Sequence, residues 1–269
     1  NYLNEIIDNE KIEDIEIDKD FIKKNNDKLF FINHINFSQI DVFIDFGCAR
    51  GDLLLALHEL YPNTIYFGYD NNATMQQLFQ DNCAKQKFYF INNLDNLLDT
   101  IQNYRRIGKT VAINFSSVLH EIYSYEMNSN TWDAIVAAGP HFIFIRDMRL
   151  ATYDNTPTVM SLLQKASLNS SFSDYMKHRP QLTVSNVVEY FLKYNYIENW
   201  TRERDERYFY PDNFFQVPSE SYQLVYSRSF NIPWQINKIK KDFDGLDLSP
   251  IHTHYKKIYK LRSNQISLL

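Results

Sequence analysis

Asp45-Phe46-Gly47-Cys48-Ala49-Arg50-Gly51 follows the apolar run Val42-Phe43-Ile44 and precedes the helically spaced leucines Leu53, Leu54, Leu57 and Leu60. A glycine-bearing turn between strand and helix lets backbone N–H groups and the helix N-terminus approach a ligand closely. Glycine is scarce in the rest of the chain, with 6 in 269 residues, where a usual share of roughly 7% would give about 19. The glycines that are kept therefore mark backbone positions that other residues adopt only with strain. Gly47 and Gly51 lie in this turn, and Gly68 lies two residues before Asp70.

Outward from the turn, apolar runs alternate with helical spacing. Pro62-Asn63 ends the first helix, and Thr64-Ile65-Tyr66-Phe67-Gly68-Tyr69 forms a second run. A helix near 72–84 precedes Phe88-Tyr89-Phe90-Ile91, and a helix at 94–104 precedes Val111-Ala112-Ile113-Asn114-Phe115. The stretch Thr131 to Ala138 reads as helix and stops at Gly139-Pro140, ahead of His141-Phe142-Ile143-Phe144-Ile145. Five apolar runs separated by helices predict an α/β fold with a parallel sheet covered on both faces. Helices are expected around 158–166 and 184–200, and strands at 222–230 and 253–261. Residues 1–40 are polar and acidic with helical spacing, and read as an N-terminal cap of one or two helices. No Gly/Ser linker divides the chain, so 41–269 reads as one continuous domain.

Composition narrows the class. Apolar residues make up 44% and charged residues 23%, ordinary for a chain with a core and unlike disordered, collagenous or coiled-coil proteins. No run of about 18 apolar residues suits a membrane span, and the first residues lack a signal-peptide pattern. The chain opens on Asn1 without methionine, from which a longer parent chain or a partner subunit is expected. Two cysteines, Cys48 and Cys83, are too few for a disulfide framework or a thiolate zinc site, so a cytoplasmic setting is expected. Residues 1–150 hold 13 basic and 21 acidic side chains, a net −8, whereas 151–269 hold 15 and 12, a net +3. That asymmetry is expected to reflect two roles.

Asp70, after the second apolar run and 19 residues beyond Gly51, sits where a carboxylate accepts hydrogen bonds from ribose hydroxyls. The dinucleotide pattern G-x-G-x-x-G counted from Gly47 would need glycine at 52, which is Asp52, and has Ala49 at its middle position. A pyrophosphate beside Asp52 would be repelled, whereas a cofactor with an amino-acid tail and a sulfonium would not. S-adenosylmethionine fits better than NAD.

These residues resemble the class I S-adenosylmethionine-dependent methyltransferases, in which D/E-x-G-x-G-x-G follows the first strand and an acidic residue ends the second. Asp45, Gly47 and Gly51 match, Ala49 departs, and Gly68-Tyr69-Asp70 matches the usual G-x-D. The resemblance implies a Rossmann-like sheet with helices on both faces, closed by an antiparallel sixth–seventh strand pair with an insert. It also implies S-adenosylhomocysteine as product. In those terms Asp45, Phe46, Gly47, Cys48, Ala49 and Gly51 shape the methionine site, and Asp70 with Asn71 holds the ribose. Asn92 or Asn93 contacts the adenine, and Phe115, Ser116 and Ser117 lie beside the methionine moiety and the transferring methyl. Residues 151–221 and 231–252 become elaborations on the substrate side. The phrases Glu198-Asn199-Trp200-Thr201-Arg202-Glu203 and Thr253-His254-Tyr255-Lys256 resemble uncharacterised methyltransferases of phage and bacterial origin.

Methyl transfer from a sulfonium is an in-line displacement dominated by positioning, with a base needed only where the acceptor must lose a proton early. Ser116-Ser117-Val118-Leu119-His120-Glu121-Ile122-Tyr123 follows the fourth apolar run. His120 is expected as a general base, with Glu121 orienting it or binding a substrate amine; the plainer reading is that both begin a helix. Arg146, after the fifth run, either holds an anionic acceptor or pairs with Asp147 or Glu121. The N/D-P-P-Y/F signature of nucleobase amino methylation is missing, since Asn114-Phe115-Ser116-Ser117 stands in that place. Nothing near Cys48 resembles the Pro-Cys arrangement of cytosine-C5 methyltransferases. His252 and His254 would share a strand face but lack a third ligand, so no metal site is expected.

Basic residues interleaved with aromatics bind phosphates and stack bases. Lys238, Lys240, Lys241, Lys256, Lys257, Lys260 and Arg262 form one such group, and Trp200, Arg202, Arg204, Arg207 and Tyr208 a second. RNA is accordingly the leading acceptor, with a small molecule or a protein side chain as the alternative. A cofactor-binding subunit without catalysis is the rival from another class.

Overall fold

Alternation within each apolar run divides its side chains between two cores. Of β1 (Val42–Phe46), Val42, Ile44 and Phe46 enter one buried cluster and Phe43 the other. The same split holds for β4 (Val111–Ser116) and β5 (Phe142–Met148): Ile113 and Ile143 face one way, Ala112 and Phe144 the other. A strand apolar on both faces must be covered on both, and the helices do this. On the first face lie α3 (Leu94–Arg106), α4 (Leu119–Glu126) and α5 (Asn130–Ala138), through Leu97, Ile101, Leu119, Trp132 and Ile135. On the second lie α1 (Asp52–Leu60) and α2 (Ala73–Asn82), through Leu54, Leu57 and Phe79.

The computed structural model describes residues 27–126, 129–150, 156–179, 181, 183–194 and 200–263. With β2 (Ile65–Tyr69), β3 (Tyr89–Ile91), β6 (Tyr222–Phe230) and β7 (His254–Leu261), the strands form one seven-stranded sheet in the order β3-β2-β1-β4-β5-β7-β6. The first five are mutually parallel, and β7 runs antiparallel between β5 and β6. That insertion separates the fold from the dinucleotide order 3-2-1-4-5-6.

Residues 1–26 of the expected helical cap lie outside the described residues. From 27 onward the segment forms two 3₁₀ turns, Phe30–Asn33 and Phe37–Gln39, instead of α-helices. Phe30, Phe31 and Phe37 of this segment are nonetheless buried in the core on the second face. Phe31 stacks on Phe144 with ring centroids 4.4 Å apart and planes 10° from parallel. Such a pair adds about 0.5–1.5 kcal/mol to the gain from burial, so this segment is part of the core on the second face.

The C-terminal helices α6 (Thr156–Ser167), α7 (Ser170–Lys177), α8 (Val184–Lys193) and α10 (Pro233–Asp242) form a third cluster around Tyr175, Val188, Phe191 and Ile239. The helix expected over 184–200 ends at Lys193, residues 195–199 lie outside the described residues, and a separate α9 spans Trp200–Asp205. The buried Lys193 ammonium donates to the backbone carbonyls of Glu203 and Glu206, at the end of α9. Carbonyls that would otherwise be orphaned at a helix end are thereby satisfied.

Candidate active site

The parallel strands end at one edge, and strand order reverses there between β1 and β4. Ligands of open α/β sheets bind at that kind of crevice. A cleft of about 480 Å³ opens at this edge, lined by Phe46, Gly47 and Ala49, by Tyr69, Asp70, Asn71, Asn72 and Met75, by residues from Ser117 to Glu126, and by Arg202. A larger hollow of about 570 Å³ beside Arg105, Gly139 and Tyr222 lies where the parallel strands begin.

The turn is held open by its backbone. A Cβ at Gly47 would come within 2.8 Å of Val118 Cγ2, and its φ of +74° suits glycine. Ala49 takes the same left-handed region at φ +46°, so alanine supplies the geometry expected of glycine, with strain. Ser117 does likewise at φ +59°. Of three described non-glycine residues with positive φ, two therefore line this cleft. Backbone strain of about 1–3 kcal/mol per residue persists where surrounding structure enforces it, commonly at ligand sites.

Asp70 links the two loops. Its Oδ2 accepts from the Ala49 N–H at 3.2 Å and its Oδ1 from the Asn72 N–H at 2.9 Å. Each carboxylate oxygen keeps a further lone pair, and Asp70 borders the cleft. Behind the turn, the buried Asp45 carboxyl accepts from Asn114 Nδ2 at 2.8 Å. Burial pushes the Asp45 pKa up to about 6, against the pull of that hydrogen bond. Among the described residues, Asn114 Oδ1 and Ser116 Oγ on β4 are buried without a hydrogen-bond partner. Buried polar atoms of this kind call for a partner, which a ligand group or an ordered water would supply.

The Asp45 shift gives a stability signature. The folded state holds the proton more tightly than the unfolded chain (pKa about 3.9), so its stabilising effect is complete below about pH 4. It is lost as pH rises through about 6. Asp45→Asn mimics the protonated form and is expected to be more stable than wild type by up to about 3 kcal/mol at pH 7.5, an advantage that vanishes near pH 4. Urea unfolding at the two pH values checks it; equal stability of the two proteins at pH 7.5 would contradict the burial.

The expected site residues separate into those at the cleft and those behind it. Phe46, Gly47, Ala49, Asp70, Asn71, Ser117 and Glu121 line it. Cys48 packs in the core on the second face, and Gly51 caps α1 with its α-carbon against Phe79 and Cys83. Phe115 is buried between Phe46 and Trp132. Neither Asn92 nor Asn93 lines the cleft, and the Asn93 side-chain carbonyl is taken by the Asn96 N–H as the cap of α3. Asp52 stands at the first turn of α1, where its Oδ1 accepts from Asn82 Nδ2.

Two expected pairings are corrected, and one expected shared strand face is not formed. His120 is oriented by Asp147 and not by Glu121: Nδ1–H donates to Asp147 Oδ1 at 2.7 Å, and the His120 backbone N–H donates to Oδ2 at 3.0 Å. Burial opposes charge on His120, but the carboxylates of Asp147, Glu121 and Glu206 together outweigh it and raise the pKa above the ordinary histidine value. Arg146 pairs with neither Asp147 nor Glu121; its Nε donates to Asp27 at 2.6 Å and its Nη1 to Ser117 Oγ at 2.8 Å. The buried guanidinium thus ties the segment before β1 to the strained Ser117. His252 precedes β7 and is exposed, whereas His254 is buried with its Nδ1 on Thr253 Oγ1 at 2.9 Å, so the two share no site.

Sequence reasoning missed Val118, Ile122 and Tyr125, whose spacing of four and three on α4 places them on one side with Glu121. It also missed Arg202 as a cleft residue: Nη2 donates to Glu121 Oε1 at 2.8 Å, and Nε to Glu206 Oε1 at 2.7 Å. Several cations of the expected RNA-binding groups are paired within the chain. Lys256 meets Asp27, and Arg204 meets Asp174 and Asp205. No helix among the described residues is long and apolar enough to cross a membrane.

The strand order and cleft placement are those of the class I S-adenosylmethionine-dependent methyltransferase fold. A methyltransferase of that kind from Anabaena variabilis is similar over 88% of this chain and 86% of its own, at 14% identity and a TM-score of 0.50. The N-methyltransferase NodS from Bradyrhizobium japonicum aligns over 91% of this chain and 99% of its own, at 9% identity and a TM-score of 0.43. The MccD protein aligns over 91% and 97%, at 9% identity and 0.45. At such identities the Anabaena likeness speaks for the fold, and the other two add nothing to it. No family model and no curated protein matches the chain.

Proposed function

We propose that this chain binds S-adenosylmethionine in the cleft at the carboxyl edge and transfers its methyl group to a small polar acceptor. The observation that carries the reading is Asp70, whose carboxylate joins the first turn to the second while keeping lone pairs at the cleft. Ribose hydroxyls are the donors such a carboxylate takes. The cofactor's amino-acid end is accommodated by polar groups without partners, Asn114 Oδ1 and Ser116 Oγ, near the desolvated Asp45. Met75, Val118 and Ile122 give the cleft apolar walls suited to a purine. The bound sulfonium supplies an activated methyl group; the chain's own residues supply position and exclusion of water.

The acceptor end is formed by Ser117, Glu121, Tyr125 and Arg202. Asp70, Glu121 and Glu126 set three carboxylates against the one arginine lining the cleft, a balance that repels a polyanion and favours a neutral or cationic small molecule. RNA remains the second reading on one observation, the exposed Lys240 and Lys241 on α10. Calorimetric titration with S-adenosylmethionine tests the cofactor assignment, with NADH as control: saturable binding of the first alone is expected, and binding of neither sinks it. A salt titration separates the acceptors, because phosphate contacts make affinity fall steeply with ionic strength; RNA binding of that kind would replace the small acceptor.

A further inference from the structure

Behind the acceptor end of the cleft, three ligand-type atoms converge. His120, Glu121 and Glu206 each present one nitrogen or oxygen, all within 4.8 Å of one another. His120 and Glu206 are 4% and 2% exposed. Because a carboxylate only accepts, the 2.7 Å contact with Asp147 requires a proton on His120 Nδ1. Nε2 is then the ring atom turned toward the acidic pair. It makes no hydrogen bond among the described residues, and the Glu206 oxygen it faces is 4.0 Å away. Two carboxylates facing the imidazole require positive charge among them; in the metal-free chain a proton on Nε2 meets that need, and a cation would take the proton's place.

Arg202 supplies part of that charge by bridging Glu121 and Glu206. It does so from outside: its side chain is 60% exposed, and no hydrogen bond joins it to Nε2. Tyr125 OH also donates to Glu206 Oε1, at 3.0 Å. The remaining Glu206 oxygen, Nε2 and Glu121 define one face of a coordination sphere. An ion about 2.0–2.2 Å from each requires small rotations of the two glutamates and outward displacement of Arg202.

We propose that His120 Nε2, Glu121 and Glu206 form a divalent-cation site at the acceptor end of the cleft, with Arg202 as the counter-ion that the metal displaces. One imidazole and two carboxylates suit Mn²⁺ among the divalent ions. The buried Asp147 carboxylate is the outer partner that fixes the tautomer and ring orientation of a metal-binding histidine. Protein ligands fill one face of the ion and leave positions open toward Glu121 and the cleft. An oxygen of the acceptor can be held there. The site is independent of the cofactor assignment, since it can be loaded with neither cofactor nor acceptor present.

The test is titration of the full chain with Mn²⁺, followed by loss of the free-ion electron paramagnetic resonance signal, with circular dichroism checking the fold of each variant. One saturable Mn²⁺ per chain is expected. Glu206→Gln and His120→Asn are each expected to weaken it at least about tenfold, the usual scale for loss of a ligand or its support. Arg202→Ala is expected to tighten it, because the competing guanidinium is gone. No saturable binding by wild type overturns the proposal, as does binding that Glu206→Gln and His120→Asn leave unchanged. Failure here leaves S-adenosylmethionine binding unaffected, so the two assignments fail separately.

Discussion

Asp70→Ala is expected to weaken S-adenosylmethionine binding by at least about 100-fold while leaving the fold intact. Two ribose hydroxyls donating to a carboxylate are worth about 1.5–3 kcal/mol each, and every 1.4 kcal/mol is a factor of about ten. The variant also frees the Ala49 and Asn72 N–H groups that Asp70 now holds at 3.2 and 2.9 Å. Ala49, held at φ +46°, then loses a restraint on a strained turn. Asp70 is only partly buried, so its removal creates no core cavity and thermal stability should fall little. Asp70→Asn keeps one acceptor oxygen and is expected to bind with intermediate affinity. Calorimetry on the three proteins decides the matter; unchanged affinity in Asp70→Ala would contradict the assignment of the cleft.

Asp147→Ala is expected to lower the melting temperature by about 10 °C. Asp147 is fully buried at the end of β5 and holds both the backbone N–H and the ring of His120, in the first turn of α4. Its loss leaves two buried donors unsatisfied, at about 1–3 kcal/mol each, and a chain of this size shifts by about 2–4 °C per kcal/mol. Asp147→Asn keeps a carbonyl for one donor and should fall about half as far. Thermal unfolding followed by circular dichroism checks both variants, and a shift below about 2 °C in Asp147→Ala would show that the His120 contact carries no weight. Since α4 presents Val118, Glu121, Ile122 and Tyr125 to the cleft, its first turn also sets the shape of the acceptor end.

The core fold was legible because its signals are local. A continuous apolar run, a glycine turn and Asp70 lie within 30 residues of one another, and each strand of the parallel sheet falls on such a run. Ala49 shows the limit of reading residue type for geometry: the backbone there is left-handed, as a glycine's would be. Pairings across the chain were not legible. Arg146 meets Asp27, 119 residues earlier, and Arg202 reaches Glu121, 81 residues earlier. Periodicity assigns a side chain to a face but names no partner on that face. The partners of the buried Lys193 ammonium were hidden for a similar reason, since they are carbonyls of α9 and of the residue after it. Asn93 reads equally well as a ligand contact or a helix cap, and hydrogen-bond geometry alone separates the two.

The functional assignment stands on methyl transfer at this cleft. Its most direct test is incubation of the purified chain with S-adenosylmethionine tritiated on the methyl group, together with fractionated metabolite, protein, RNA and DNA pools. Label is expected in the low-molecular-weight metabolite pool with wild type and not with Asp70→Ala. Binding of the cofactor without label in any pool would contradict the claim and leave a cofactor-binding protein without transferase activity.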